Sequence, residues 1–334
     1  MYLPTTTEQI TVGTSDDRML HSVLPKSETS FQSDQTCTIS VVIAWVNSFE
    51  LLTAGLDALL KGNRQADEII VVTRHGENEQ NDFRQKYQDI KLIAAPPETA
   101  ITRLRSIGIR RSVGSVVVVT EDHCVPSEKW LATVERRIGE GFDVVGGAVE
   151  NAWGERLRDW AAFLTEYAFA IRSRDAKTDD GEHGSIPGNN AAYRRELIDG
   201  LCETLDADLW ESFYYDDLRR EGKRLTHDSE MLLYHRRPFD FFYFIGQRFH
   251  FCRSYAEMRS QSLNGFGRIK YGLGSAILPP LLWLRGLQTL VKKQRMVGRY
   301  ILCSPLMAFY LCAGAFGEMI GYFFGGGTSL GRVE

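Results

Sequence analysis

The chain has 334 residues, of which 43% are hydrophobic and 25% are charged, and its formal net charge is −4. These values are ordinary for a globular protein, and the charge gives no reason to expect a nucleic-acid partner. The six cysteines are scattered and form no C-x-x-C pair, which argues against a disulfide or zinc framework and fits a reducing compartment.

Residues 1–36 are rich in Thr, Ser, Gln and Asp and contain no apolar segment of the signal-peptide type. Their composition predicts a disordered leader. We therefore expect the folded part of the chain to begin at residue 37.

From that point, apolar strand patterns alternate with helical patterns. Thr38 to Val46 predicts a first buried strand, and leucines at helical spacing follow Asn47 and Ser48. Further strands are predicted at 67–73, 90–94, 116–119, 143–149 and 231–235, and helices at 83–87, 102–112, 130–139, 153–172 and 208–219. Residues 186–195 predict a turn that enters a helix. This alternation predicts an α/β fold with a mostly parallel sheet and helices on both faces.

The stretch from Val116 to Trp130 is the most informative part of the sequence. Four valines predict a fully buried strand, and the strand leads directly into Glu121, Asp122 and His123. Open α/β sheets bind ligands at the carboxyl ends of their strands. Two carboxylates and an imidazole suit Mn²⁺ better than Ca²⁺. The pattern therefore indicates a metal site, and a polar turn after a buried strand is the alternative.

The order of motifs between Thr38 and Arg259 resembles that of family 2 glycosyltransferases, which have the GT-A fold. In that family, a strand ending near an Asn is followed by an Arg-containing helix and then by a strand ending in Asp-x-Asp. A Gly-Asn-x-Ala-x-Arg-Arg segment and a helix with a catalytic carboxylate come later. The matching segments here are 45–47, 105–108, 121–126, 188–195 and 210–222.

The resemblance implies transfer of a sugar from a nucleotide-sugar donor, with Glu211 as the general base of an inverting reaction. It implies Mn²⁺ or Mg²⁺ bound by His123, with Asp122 and Glu121, to stabilise the departing diphosphate. The implied donor-binding residues are Trp45, Asn47, Arg105, Glu121, Asp122 and His235. The implied acceptor-side residues are Gly188, Asn189, Asn190, Gln247 and Arg253.

The sequence departs from the family pattern at two points. Glu121-x-His123 replaces the usual Asp-x-Asp, and Thr73-Arg74-His75 stands where the family commonly has an acidic residue near the base and ribose. Structural alternatives also remain for the site residues. Glu211 could be a carboxylate favoured only by a helix dipole, and Arg105 could cover a helix face with its aliphatic stem. The two asparagines at 189 and 190 could hold a turn.

The last part of the chain has a composition of its own. Between Glu257 and Glu318 there are eight Lys and Arg residues and no acid, which suggests contact with an anionic membrane. Residues 300–324 would reach about 37 Å as a helix, enough to cross a hydrocarbon core of about 30 Å. Residues 275–291 are interrupted by Pro279-Pro280, which favours an interfacial or re-entrant segment. Two buried helices of a soluble domain are the alternative.

These patterns divide the chain into a leader at 1–36, a catalytic GT-A domain at 37–240, amphipathic interface helices at 241–271 and membrane-associated helices at 272–334. The basic segment at 292–299 prefers the cytoplasmic side, so we expect the catalytic domain to face the cytoplasm. The expected acceptor is a membrane-bound lipid or an envelope glycan. The alternatives are a polyprenyl-phosphate glycosyltransferase and a catalytically silent GT-A-like scaffold that binds nucleotide or lipid.

Overall fold

The computed structural model describes residues 37–154, 156–175 and 186–333, so the predicted leader lies outside the described residues. The described chain contains one eight-stranded sheet. Its strands are β1 Ile39–Trp45, β2 Glu68–Thr73, β3 Lys91–Ala94, β4 Val116–Glu121, β5 Cys124–Pro126, β6 Val144–Asn151, β7 Ala191–Arg194 and β8 Leu225–His235. The helices are α1 Phe49–Leu59, α2 Glu77–Lys86, α3 Ile101–Arg111, α4 Trp130–Gly139, α5 Leu157–Tyr167, α6 Ile198–Asp206, α7 Glu211–Arg220, α8 Phe241–Ser260, α9 Gly265–Gly274, α10 Leu278–Lys292 and α11 Val297–Phe324.

The strands lie in the order β3-β2-β1-β4-β7-β6-β8-β5. The chain runs outward from β1 to β2 and β3, and then returns to β4 on the other side of β1, with all of these pairs parallel. The carboxyl ends of β1 and β4 therefore meet at a point where the strand order reverses, which is where open α/β sheets form a ligand crevice. The predicted α/β class is confirmed, although the sheet is mixed, since β7 and β5 run antiparallel to their neighbours.

Helices cover both faces of the sheet, as predicted, because side chains alternate along each strand. In β1, Val41 and Ile43 pack with α1, α2 and α4, whereas Val42 and Ala44 face the side covered by α3, α6 and α7. Both sets are buried. This two-sided burial explains why the strands read as continuous apolar runs.

One element differs in kind from its prediction. Ala191–Arg194 forms an antiparallel strand between β4 and β6, with Ala192 opposite Val118, so the prediction that the turn at 186–195 leads directly into a helix is wrong. The helix α6 begins only at Ile198. Four residues are too few to reveal a period of two in the sequence. The small, fully buried alanines fit the narrow space between two strands.

The last four helices form a separate layer against the sheet and its covering helices. The long helix α11 packs along α8, and the glycines of α11 permit close approach, since a Cβ at Gly314 would lie 3.0 Å from Cys252 Sγ. Pro279 and Pro280 lie in the first turn of α10, where proline does not interrupt helical hydrogen bonding. The segment 275–291 is accordingly divided into a 3₁₀ turn, Ser275–Ile277, and the helix α10, which begins just before the prolines. After α11, a short 3₁₀ turn, Leu330–Arg332, returns to α8, where Gln247 Nε2 donates to the Arg332 carbonyl at 2.9 Å.

Candidate active site

Asp122 organises the junction between β1 and β4. Its carboxylate is buried and accepts hydrogen bonds from the Val46 amide at 2.8 Å and from Asn47 Nδ2 at 2.8 Å. It also accepts a bond from His123 Nδ1 at 3.0 Å. Burial alone would raise the pKa of Asp122, but its bond to His123 and the donors from Asn47 hold that pKa below its usual value. In this arrangement the lone pairs of Asp122, an expected metal and donor ligand, are occupied by protein donors.

His123 and Glu121 present ligand atoms to the same point. Because Nδ1 of His123 donates to Asp122, its Nε2 lone pair faces Glu121 Oε2 at 3.3 Å. Two adjacent ligand atoms on one octahedral ion, each about 2.1 Å from it, would lie about 3 Å apart. The pair therefore fits a divalent cation. Cys124 completes a group of three whose ligand atoms lie within 4.8 Å of one another, but burial raises the pKa of its thiol well above the ordinary value, and a protonated thiol is a poor ligand.

Arg105 joins this pair to the candidate base. The guanidinium, carried on α3 and only 4% exposed, forms ion pairs with both Glu121 and Glu211. Burial opposes its charge, but the two carboxylates outweigh that effect and raise the pKa of Arg105. The alternative that Arg105 only covers a helix face does not hold, since its head group rather than its stem makes these contacts. Residues more than 100 positions apart in the chain are thus joined in one charged network.

Glu211 lies at the first position of α7, where the helix dipole favours a carboxylate. Its Oε1 accepts from Arg105, and its Oε2 lies against the backbone of Gly188, where a Cβ would come within 2.8 Å. The structure gives Oε2 no hydrogen-bond donor among the described residues. One carboxylate oxygen is therefore held while the other faces the cleft.

His235 and Asn189 form another wall of the same cleft. The His235 ring lies 4.6 Å from the His123 ring, edge to face, and stacks on Phe239 at 5.4 Å. Burial, with His123 and Arg237 nearby, lowers the pKa of His235 well below the ordinary value, so the ring is neutral at pH 7. Asn189 Nδ2 donates to Tyr167 Oη at 2.9 Å.

These side chains line one cleft that encloses about 1100 Å³ of empty space including its open mouth, enough for a ligand larger than a monosaccharide. Eight of the residues predicted from the sequence line this cleft: Arg105, Glu121, His123, Gly188, Asn189, Glu211, His235 and Gln247. Asn47 lies beside them, tied to Asp122 through its own amides.

The structure places three predicted site residues away from the cleft, with side chains that bond within the fold. Trp45 is fully buried, and its Nε1 donates to the Asn47 carbonyl at 2.9 Å. Asn190 is fully buried, with Oδ1 bonded to Trp130 and Nδ2 bonded to two backbone carbonyls. Arg253 Nε donates to the Gly325 carbonyl at 2.8 Å and so holds the end of α11. None of the three lines the cleft.

Three charged residues of the cleft, Glu166, Arg237 and Arg248, were not predicted as site residues. Glu166 lies on α5, whose aromatic, amphipathic pattern indicates packing and hides a carboxylate turned towards a cavity. Arg248 lies on α8, in the segment from which sequence reasoning selected Gln247 and Arg253. Five residues of helix separate Arg248 from Arg253 by about 140° around the axis, so only one of the two can face the cleft. This helical angle is the feature of the sequence that could have shown that Arg248 and Arg253 do not share a site.

Among the described residues, one helix is long and apolar enough to cross a membrane, namely Val297–Phe324. This helix and the helices around it expose large apolar side chains to solvent. These are Phe242, Phe266, Ile269, Leu273, Ile277, Leu284, Val291, Ile301, Leu302, Phe309, Phe316, Phe323 and Phe324.

Residues 40–202 match the family model described as "Glycosyl transferase family 2". No curated protein matches the sequence at a significant level. Among solved structures, the mannosyltransferase PcManGT from Pyrobaculum calidifontis, in complex with GDP-Man and Mn²⁺, has a TM-score of 0.51 and 15% identity. That match covers 86% of this chain and 88% of the other. A likeness of this kind shows a shared fold.

Two further solved structures are similar to smaller degrees. GalNAc-T7 with UDP, GalNAc and Mn²⁺ has a TM-score of 0.49 and 15% identity, and the match covers 61% of this chain but only 44% of that one. Residues 1–349 of S. aureus TarS have a TM-score of 0.45 and 14% identity, with 85% and 90% of the two chains covered.

Proposed function

The chain belongs to glycosyltransferase family 2 through residues 40–202 and has the GT-A fold, and on this premise we propose that it is a metal-dependent, inverting enzyme. The proposed reaction moves a sugar from a nucleotide-sugar donor to a membrane-bound lipid or envelope-glycan acceptor. The observation that carries the proposal is the network in which Arg105 joins Glu121, beside His123, to Glu211.

The residues on the sheet side fit the donor's diphosphate. Glu121 and His123 would hold Mn²⁺ or Mg²⁺, and a bound ion would supply Lewis-acid stabilisation of the leaving group. Asp122 fixes the His123 ring so that Nε2, and not Nδ1, is presented. Arg105 adds a fixed positive charge beside the oxygens of the donor's diphosphate.

Glu211 is placed to accept the proton of the acceptor hydroxyl. In a single displacement, the acceptor oxygen bonds to the anomeric carbon, the bond from that carbon to the phosphate oxygen breaks, and the nucleoside diphosphate leaves. The hydroxyl proton passes to Glu211 Oε2, the oxygen that Arg105 leaves free. One base and no covalent nucleophile are needed.

The membrane assignment is supported by the C-terminal layer. The exposed apolar side chains of α8 to α11 form a surface of a kind that soluble monomers rarely leave in water. The apolar helix α11 lies within this surface, and the basic residues Lys292, Lys293 and Arg295 precede it in the sequence. We propose that this layer holds the enzyme on a membrane with the catalytic domain at 37–240 on the cytoplasmic side.

The first test is release of nucleoside diphosphate from a panel of nucleotide sugars, with Mn²⁺, Mg²⁺ or EDTA, in detergent or lipid. We expect metal-dependent release from one donor. His123→Ala should abolish this release, and Glu211→Gln should retain donor binding but lower turnover on acceptor at least ~100-fold, as loss of a general base does. Asp216→Asn, an exposed carboxylate of the same helix, is the matched control.

Two results would contradict the proposal. Turnover that is insensitive to EDTA would remove the metal from the mechanism. Nucleotide binding with no turnover on a broad set of acceptors, in folded protein, would instead favour a silent scaffold.

A further inference from the structure

Arg248 carries a buried charge that the protein does not neutralise. The residue is 9% exposed and lines the cleft. Its Nη2 reaches Cys252 Sγ at 3.5 Å, its Nε has no hydrogen-bond partner, and no carboxylate among the described residues forms an ion pair with it. A buried guanidinium without an anion costs several kcal/mol. The cleft is therefore electrostatically incomplete at this position.

Glu166, a carboxylate that lines the same cleft, does not supply the missing anion. It is close enough for Arg248 to influence it, yet no ion pair joins the two. Burial raises the pKa of Glu166. Arg237, another cation of the cleft, donates to Tyr243 Oη at 2.5 Å.

Arg248 belongs to a different wall from the diphosphate residues. Glu121, His123 and Arg105 come from the carboxyl ends of the sheet and from α3, whereas Arg248 comes from α8. Its guanidinium lies 5.4 Å from the centre of the Phe251 ring. The other aromatic residues that line the cleft from this part of the chain are Phe239, Tyr243 and Phe244.

The helix α8 also packs on α11, the apolar helix. A Cβ at Gly314 of α11 would lie 4.0 Å from the Arg248 carbonyl. The cationic position therefore lies between the catalytic cleft and the layer that we assign to the membrane. A cation set among aromatic rings beside a membrane helix matches an amphiphile with an anionic head group.

We propose that Arg248 forms a second anion subsite that binds the phosphate of a lipid-linked acceptor, apart from the diphosphate of the donor. This inference rests on the proposed glycosyltransferase function and names its acceptor class. The lipid chain lies along the aromatic wall, the phosphate pairs with Arg248, and an acceptor hydroxyl carried by the same lipid reaches Glu211. The phosphate is an anchor and undergoes no reaction.

Binding of three probes tests the subsite without knowledge of the sugar. Farnesyl phosphate, farnesol and UDP or GDP with Mn²⁺ are titrated calorimetrically into the full-length protein in detergent. Arg248→Gln should lower the affinity for farnesyl phosphate about tenfold or more, since a charge-assisted contact is lost. The affinities for farnesol and for the nucleotide should change less than about threefold. His123→Ala should give the reverse pattern. Arg248→Lys should recover part of the affinity for farnesyl phosphate. Arg259→Gln, on the same helix, should leave the affinities for all three probes unchanged.

Several outcomes would overturn the inference. If Arg248→Gln weakens the nucleotide and spares farnesyl phosphate, Arg248 serves the donor. If inorganic phosphate binds as tightly as farnesyl phosphate, the site takes free phosphate and not a lipid. If Arg248→Gln lowers the affinity for all three ligands and also lowers the unfolding temperature, Arg248 serves to stabilise the fold. Failure of donor turnover in the unchanged protein would instead reject the proposed function, so the two failures are distinguishable.

Discussion

Asp122 shows how a residue at the centre of a motif can act without touching a ligand. Its carboxylate binds the loop after β1 through Val46 and Asn47, and it orients His123 through Nδ1. A carboxylate behind a ligating histidine fixes the tautomer and raises the basicity of the other ring nitrogen. We therefore treat Asp122 as a positioning residue for the metal and for the crevice between β1 and β4.

We predict that Asp122→Asn weakens both stability and metal binding. The NH₂ group of the new asparagine would face groups that are themselves hydrogen-bond donors, such as Asn47 and His123. Buried groups would then lack a partner, which should lower the free energy of unfolding by about 2–4 kcal/mol. Urea unfolding and Mn²⁺ titration measure the two effects. Asp216→Asn removes only an exposed i,i+3 pair and should change stability by less than about 0.5 kcal/mol. Unchanged Mn²⁺ affinity in Asp122→Asn would show that His123 needs no such support.

At the scale of elements, α8 connects the cleft to the C-terminal layer. One side carries Gln247 and Arg248 into the cleft, and another packs against the glycines of α11. At Gly317, a Cβ would overlap the Phe249 carbonyl, a backbone atom that cannot turn away. The position of the cleft wall therefore depends on close contact between these two helices.

Gly317→Val should force α8 and α11 apart. We expect a cost of about 1–3 kcal/mol, as for overpacking of a well-packed interior, and reduced acceptor turnover at unchanged donor binding. Thermal unfolding in detergent and steady-state kinetics measure these changes. Gly298→Val is the matched control, because that position lies in the same helix and a Cβ added there would meet no atom within 4 Å. Equal behaviour of the two variants would show that the helix contact is not tight.

At the scale of the whole molecule, the exposed large apolar side chains are concentrated in the C-terminal helices. The sheet and its helices keep nearly all large apolar side chains inside, with Val113 as an exception at 80% exposure. The helices α8 to α11 expose many, including Leu302 at 64% and Phe309 at 59%. This contrast, and not the length of one helix, is the stronger argument for a membrane-facing layer.

We predict that the protein floats with vesicles that contain anionic lipid in a density gradient. Leu302→Asp combined with Phe309→Asp should shift most of it to the soluble fraction, since charge is costly in hydrocarbon. Val113→Asp changes an equally exposed apolar residue of the catalytic part and should float like the unchanged protein. A protein that never floats, or a double variant that floats normally, would reject the membrane layer.

The sequence by itself determined the α/β class, because alternation of strand and helix patterns is a local property that survives without contacts. It also predicted that Glu121, His123 and Glu211 lie at the crevice. Glu121 ends β4, His123 follows that strand, and Glu211 begins α7. Only the tertiary structure decided which neighbours reach that crevice.

Adjacent residues such as Asn189 and Asn190 have the same chemistry, yet one lines the cleft and the other bonds within the core. Likewise, the helical angle of α8 assigns Arg248 to the cleft and Arg253 to the end of α11. The difference arises because burial and pairing depend on partners far away in the chain. The network of Arg105 with Glu121 and Glu211 exists only once the sheet register and helix packing bring them together.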